Sequence, residues 1–169
     1  MSVYFDFDEV DAFTVGALGQ PGDRTFFLQA RRGTTRVTIK CEKQQASAIS
    51  EYLRRVLSDL PAPTEKPIAA AMELAAPVAA AFVLGPVGLG YDRSNDMVLV
   101  QLEEVIAVDE PGAPLADDPH RGHGRVFLSL SQAHAFCEHA ESIVAAGRPA
   151  CIWCARPVNP DGHLCVRMN

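Results

Sequence analysis

The sequence predicts an α+β fold in which two strand-meander-plus-helix units, a βββα order met twice, pack together and are followed by a small zinc-ribbon-like hairpin. Three observations carry this reading. Apolar residues alternate with small or polar ones between Phe13 and Cys41, as half-buried strands require. From Glu42 the period lengthens, and Ala46, Ile49, Leu53, Val56, Leu57 and Leu60 recur three or four apart, the stripe of a helix lying on a sheet. The run from Arg125 through Ile143 then follows the order and pattern of Arg36 through Leu57, which points to a repeat, a pseudo-twofold arrangement and a cleft between two lobes.

In chain order, the first unit spans residues 1–60. After an acidic lead, Asp6 to Asp11, come strands marked by Phe13, Val15 and Ala17, by Phe26, Leu28 and Ala30, and by Val37, Ile39 and Cys41. Turns at Gly19-Gln20-Pro21-Gly22-Asp23 and Arg32-Gly33 make them an antiparallel meander, closed by the helix from Glu42. Residues 61–80 form a Pro/Ala-rich connector with a short helix around Ala69 to Ala75. The second unit, 81–147, opens with a strand from Phe82 to Tyr91, in which Pro86 demands a bulge or an edge. A strand through Val98, Val100 and Leu102 follows, then an acidic loop from Asp109 to Gly124, expected to be disordered, and a strand from Arg125 to Leu130. Ser131 is expected to cap a helix burying Ala133, Phe136, Cys137, Ala140, Ile143 and Val144, with Gly147 at its end.

At 169 residues with 48% hydrophobic and 21% charged content, the chain is long enough to bury a real core. A formal net charge of -6 argues against a general affinity for nucleic acid or anionic membrane. The N-terminus has no basic region leading into an apolar run, and the richest apolar stretch, Ile68 to Leu89, is interrupted by Pro77, Gly85, Pro86 and Gly88. A cytoplasmic protein with no membrane association is the expectation. Five cysteines, three of them in the tail, suit metal binding in a reducing compartment better than a disulfide framework.

The clearest chemistry lies in the tail, residues 148–169. Cys151 and Cys154 form a Cys-x-x-Cys pair, and His163 and Cys165 supply two more ligands beyond the turn formers Pro157, Asn159, Pro160, Asp161 and Gly162. Four protein ligands leave no open coordination position, so the expected cofactor is a structural Zn2+ ion, not a catalytic one. A redox dithiol is disfavoured because Pro157 and Pro160 argue against a helix after the pair. A deaminase-like site using His139, Glu141 and the cysteine pair is disfavoured by the nine residues between Glu141 and Cys151. Trp153 between two ligands, with Arg148, Arg156 and Arg167, makes a small basic and aromatic patch that a protein partner, or less readily nucleic acid, would contact. The larger weight falls on Trp153 packing the tail onto the body, since a small metal module needs an apolar anchor.

Elsewhere no nucleophile elbow, phosphate-binding glycine loop or dinucleotide fingerprint occurs, and Gly85-Pro86-Val87-Gly88-Leu89-Gly90 reads as a bulged strand. His120 and His123 read as solvated loop residues, Cys41 and Cys137 as core, and His134 and His139 as boundary residues beside the helix stripe. Glu42-Lys43-Gln44-Gln45 reads as a first helical turn facing water.

The segments Gly19-Gln20-Pro21-Gly22-Asp23-Arg24-Thr25-Phe26-Phe27-Leu28-Gln29-Ala30, Glu42-Lys43-Gln44-Gln45, Gly147-Arg148-Pro149 with the cysteine pair, and Pro160-Asp161-Gly162-His163-Leu164-Cys165 with Arg167 and Asn169 resemble the actinobacterial domain-of-unknown-function 3090 family across nearly the whole chain. The resemblance implies a cytoplasmic actinobacterial protein with no established activity. Two positions depart from the family pattern: Ala155 stands where a glycine is usual, and Val166 where a proline is.

The sequence thus leads to a non-enzymatic binding or adaptor module with a structural zinc site and no catalytic residues. The alternative is an enzyme acting on a small anionic substrate between the lobes through Glu42, Gln44 or the loop histidines. A deep polar cleft holding Gln20, Arg24 and Glu42 would favour the enzyme, and an exposed apolar patch around Trp153 would favour the adaptor. Nucleic-acid binding through the basic tail stands third.

Overall fold

The computed structural model describes residues 3–106, 120–147, 150–156, 158 and 162–167. Seven strands, β1 (Tyr4–Phe7), β2 (Ala12–Leu18), β3 (Thr25–Arg32), β4 (Thr35–Cys41), β5 (Phe82–Asp92), β6 (Met97–Glu104) and β7 (His123–Ser129), form one mixed sheet in the order β1-β7-β6-β5-β4-β3-β2. Two helices, α1 (Lys43–Ser58) and α2 (Leu130–Ala145), complete the α+β body.

The expected strands of both meanders are present, and Pro86 sits where the β5–β6 register shifts between Leu84 and Val87, the bulge it demands. An additional strand, β1, runs into the start of the acidic lead. In β1, Phe5 and Phe7 are buried between polar neighbours, and the strand pairs in parallel with β7 from Tyr4↔His123 to Phe7↔Val126. Asp6 lies opposite Arg125 there and forms an ion pair with it. The second helix is capped two residues earlier than Ser131. Ser129 is its cap, accepting the Gln132 N–H at 3.1 Å, while the Gln132 side chain accepts the Ser129 N–H at 2.9 Å. Ser131 instead donates to the Glu65 carbonyl at 2.5 Å. Most of the acidic loop between Asp109 and Gly124 lies outside the described residues.

The cleft between two pseudo-twofold lobes is not what the chain builds. β4 and β5 pair in parallel through Ile39↔Phe82 and Lys40↔Val83, so both meanders belong to one sheet and run the same way, displaced sideways and not rotated. α2 packs on β2, at one edge of the sheet, and on β7, next to the other edge, so the sheet curls around the helices. The apolar stripes of α1 and α2 fill the space where a cleft was expected, because burying them there removes the most apolar surface from water. One core results, running from Phe5 and Phe13 through Leu28, Ile39, Leu53, Val100 and Val126 to Phe136. Phe13 stacks on Phe136 with ring centroids 4.9 Å apart.

The opposite face of β2–β4 is covered by the connector, with a short 3-10 turn at Ala69–Met72. Side chains of the sheet hold it by its backbone. Thr14 donates to the Met72 carbonyl at 2.6 Å and Arg31 to Ala71 at 2.7 Å. Buried Gln29 donates to the Ala75 carbonyl at 3.1 Å and accepts the Ala75 N–H at 2.8 Å. Arg36 donates to the carbonyls of Ala76 and Pro77.

Two outcomes test this packing. A Cβ on Gly124 would stand 2.3 Å from the Phe5 ring, so Gly124→Ala should cost about 1–3 kcal/mol in urea denaturation. Gly90→Ala, which meets nothing within 4 Å, should cost none of this. The hydrogen bond from Arg125 holds the Asp6 carboxyl below its ordinary value, so its stabilisation is present above the ordinary carboxylate range and lost as pH falls through the folded value. Wild type should therefore exceed Asp6→Asn in stability at neutral pH, and the two should converge in acid when denaturation is followed across pH.

Candidate metal centre

The tail begins where α2 ends. Arg24 donates to the Ile143 carbonyl at 2.9 Å, satisfying an end-of-helix acceptor, and a Cβ on Gly147 would stand 3.1 Å from Lys43 Nζ and 3.2 Å from Arg24 Nη2. From this root the chain makes a knuckle. The Cys151 carbonyl accepts the Ala155 N–H at 2.9 Å, and the Cys151 N–H donates to the Arg156 carbonyl at 2.8 Å. Closing so short a turn needs a left-handed residue, and Ala155 supplies it at φ +60°. Glycine is the residue such a position favours, so the departure of Ala155 from the family pattern falls where a side chain is strained.

The knuckle brings Cys151 and Cys154 to His163 and Cys165. One ligand atom from each lies within 4.8 Å of all the others, with Cys151 and Cys165 sulfurs 3.9 Å apart and Cys154 Sγ 3.4 Å from His163 Nε2. A tetrahedral zinc ion about 2.3 Å from sulfur and about 2.0 Å from nitrogen sets sulfur–sulfur edges near ~3.8 Å and sulfur–nitrogen edges near ~3.5 Å. The Cys151–Cys165 and Cys154–His163 separations fit those edges. Cys151 and Cys165 are 9% and 8% exposed, which shields the sulfurs from water while leaving the module at the periphery of the fold.

The electrostatics of the donor set also ask for a cation. N–H groups of Cys154 and Trp153 lower the Cys151 thiol from its ordinary value, the latter donating at 3.4 Å. At Cys165 the Arg167 N–H favours the thiolate, but burial and the facing sulfurs of Cys154 and Cys151 outweigh it and hold the thiol up. Thiolates this close repel one another unless a dication sits among them. The group could hold a metal ion through these four residues. With every position of a tetrahedron filled by protein, such an ion would fix the hairpin and activate no water.

The expected contact residues separate differently. Trp153 is 56% exposed and does not bury itself as an anchor against the body, contrary to the expected packing. Ile152, Leu164 and Val166 are 88%, 95% and 64% exposed, a set that the sequence reading passed over. Their signal was available: apolar residues beside the ligands of a hairpin this small have no interior to enter. Arg156 and Arg167 are exposed, and Arg167 reaches the Trp153 carbonyl at 3.4 Å. Arg148 lies outside the described residues, as do Pro157, Asn159, Pro160 and Asp161.

Of the rival-site residues, Gln20, Glu42 and Gln44 are exposed, while the side chains around them have structural partners. Gln45 accepts the Glu42 N–H at 2.8 Å, closing the start of α1, and donates to the Leu84 carbonyl at 3.0 Å. Arg24 lies over the Phe26 ring as well as at the α2 terminus. Arg121 pairs with Glu103 and donates to the Glu104 carbonyl, and His123 packs near the Tyr4 ring. His139 remains on α2, half-buried and lowered in pKa by desolvation, and Glu141 is held by Arg54 through bonds of 2.8 and 3.1 Å, so neither joins the cysteines. Cys41 is buried with its thiol pushed up to about 12 by desolvation, and Cys137 is raised by the same cause.

Ala155→Gly should relieve the left-handed strain by about 1 kcal/mol, which chelator competition would read as metal held several-fold more tightly. A family model described as "Protein of unknown function (DUF3090)" matches residues 5–165. No curated protein and no solved structure matches the chain.

Proposed function

The chain belongs to the DUF3090 family, whose function is unknown, and on that premise we propose that it is a non-enzymatic binding or adaptor protein whose tail is clipped by structural zinc. The observation carrying this reading is the pairing of a closed Cys3His donor set with apolar side chains turned outward from the same short hairpin. Zinc is favoured over other ions because three thiolates and an imidazole suit a soft tetrahedral site. The hairpin then behaves as a zinc-ribbon-like module, rigid enough to present Trp153 and its neighbours without a core of its own. Behind it, the βββα order that occurs twice, in β2–β4 with α1 and in β5–β7 with α2, supplies a platform built by repetition. An exposed patch around Trp153 was the feature that would favour an adaptor over an enzyme. Less supports the enzyme reading, since Arg24 is engaged at the end of α2 and Glu42 and Gln44 lie exposed at the start of α1. No helix of the described residues is long and apolar enough to cross a membrane, and the free thiols suit the cytoplasm.

Purified protein should contain one zinc per chain by elemental mass spectrometry. Cys154→Ser should lose the metal and leave the tail protease-sensitive while the body, whose core contains none of the tail residues, melts almost unchanged. Because the ligands bind as thiolates and neutral imidazole, zinc should be released as pH falls and regained as it rises. Absence of metal together with a reversible Cys151–Cys154 disulfide would sink the proposal.

A further inference from the structure

The exposed tail has a counterpart on the opposite end of the same molecule. A groove of about 610 Å³ is lined by Asp8, Glu9, Arg32, Asp92, Asn95, Met97 and Phe127, with three carboxylates against one guanidinium and two apolar side chains among its walls. The tail has the inverse character. Residues 148–169 carry three arginines and one aspartate in a chain whose net charge is -6, and the exposed Arg156 and Arg167 accompany Ile152, Trp153, Leu164 and Val166. All four apolar residues adjoin ligands whose donor atoms lie within 4.8 Å of one another, so they are gathered on one small module.

The two surfaces lie toward opposite ends of α2 in one chain. Met97 of the groove pairs with Ser129, the cap at the start of α2, while the tail leaves from Gly147 beyond the far end. The 16 residues of α2 separate these ends by about 24 Å. From Gly147 to Cys151 the chain can reach at most about 14 Å, and Arg24 and Lys43 stand against its root. We propose that the zinc tail of one copy docks in the acidic groove of a second copy, Trp153 and its aliphatic neighbours meeting Met97 and Phe127 while Arg156 and Arg167 face Asp8, Glu9 and Asp92. This rests on reading the tail as a contact surface and names its partner as the chain itself.

Two other partners fit less well. Nucleic acid would meet an acidic body, and only one of the four exposed apolar side chains offers a ring on which a base could stack. An anionic lipid surface would be repelled by the same body charge.

The experiment is sedimentation of the full-length, metal-analysed protein over a range of concentrations and salt. Wild type should self-associate, more weakly as salt rises. Arg156→Glu with Arg167→Glu, and separately Asp8→Lys with Asp92→Lys, should each weaken association roughly tenfold or more. Mixing the two charge-reversed proteins should restore a complex between them. Trp153→Ser should weaken association without changing its salt dependence. A monomeric wild type, association that survives the groove substitutions, or failure of the mixed pair would overturn the proposal. So would retention of monomeric protein on an oligonucleotide or on phosphatidylglycerol vesicles through the same arginines. Metal content measured on every variant keeps the outcome separate from the zinc reading: a wild type that holds its zinc but stays monomeric refutes only the docking.

Discussion

Where α1 crosses α2, Ser50 and Cys137 face each other so closely that each side chain lies 3.5 Å from the other's backbone carbonyl. Larger residues would force the helices apart, and the surrounding Ala46, Ala133 and Ala140, all fully buried, continue the same economy of volume. The rest of the architecture depends on this approach. A helix pair this narrow fits inside one curled sheet, so strands at opposite ends of the strand order share a single core. The close crossing also directs the C-terminus of α2 toward Arg24 and Lys43, from which the tail departs. The Arg54–Glu141 ion pair lies along the same crossing, and at its partial exposure it adds direction more than stability.

Local pattern was legible wherever one physical rule governed a stretch. Alternation placed β2, β3, β4, β6 and β7, the change of period placed α1, and the ring of Pro86 forecast the bulge in β5. β1 escaped notice because a strand of four residues with Asp6 in it has too short an alternation to stand out, and its ion pair with Arg125 is formed with a residue over a hundred positions away. The shared sheet escaped for a related reason. Only two residue pairs join β4 to β5, and nothing local in Ile39-Lys40 or Phe82-Val83 says that they will be neighbours. Two similar units side by side in sequence are equally compatible with facing lobes and with one extended sheet.

The candidate metal site was legible almost in full, because ligand chemistry is written in residue identity and spacing while packing is not. Cys151, Cys154, His163 and Cys165 converge as their spacing implied. The orientation of Trp153 could not be read in the same way, since whether an aromatic side chain turns inward depends on whether the body offers it a surface. Ala155 joins the two levels. Its identity is visible in sequence, but its significance comes from a backbone angle that only the folded knuckle reveals.

The connector across β2–β4 is gripped through carbonyl and amide groups that every residue type possesses, by Thr14, Gln29, Arg31 and Arg36. Such a grip places little demand on the identity of the segment it holds, apart from the buried Met72 and from Leu74, whose side chain occupies the space left by Gly16. Among relatives, substitutions should therefore accumulate freely at Ala69, Ala70, Ala71 and Ala76 while the side chains doing the gripping change little. The alanine-rich composition of this stretch is then the mark of a segment recognised by its main chain, where selection acts on the receptor and leaves the strap itself to drift.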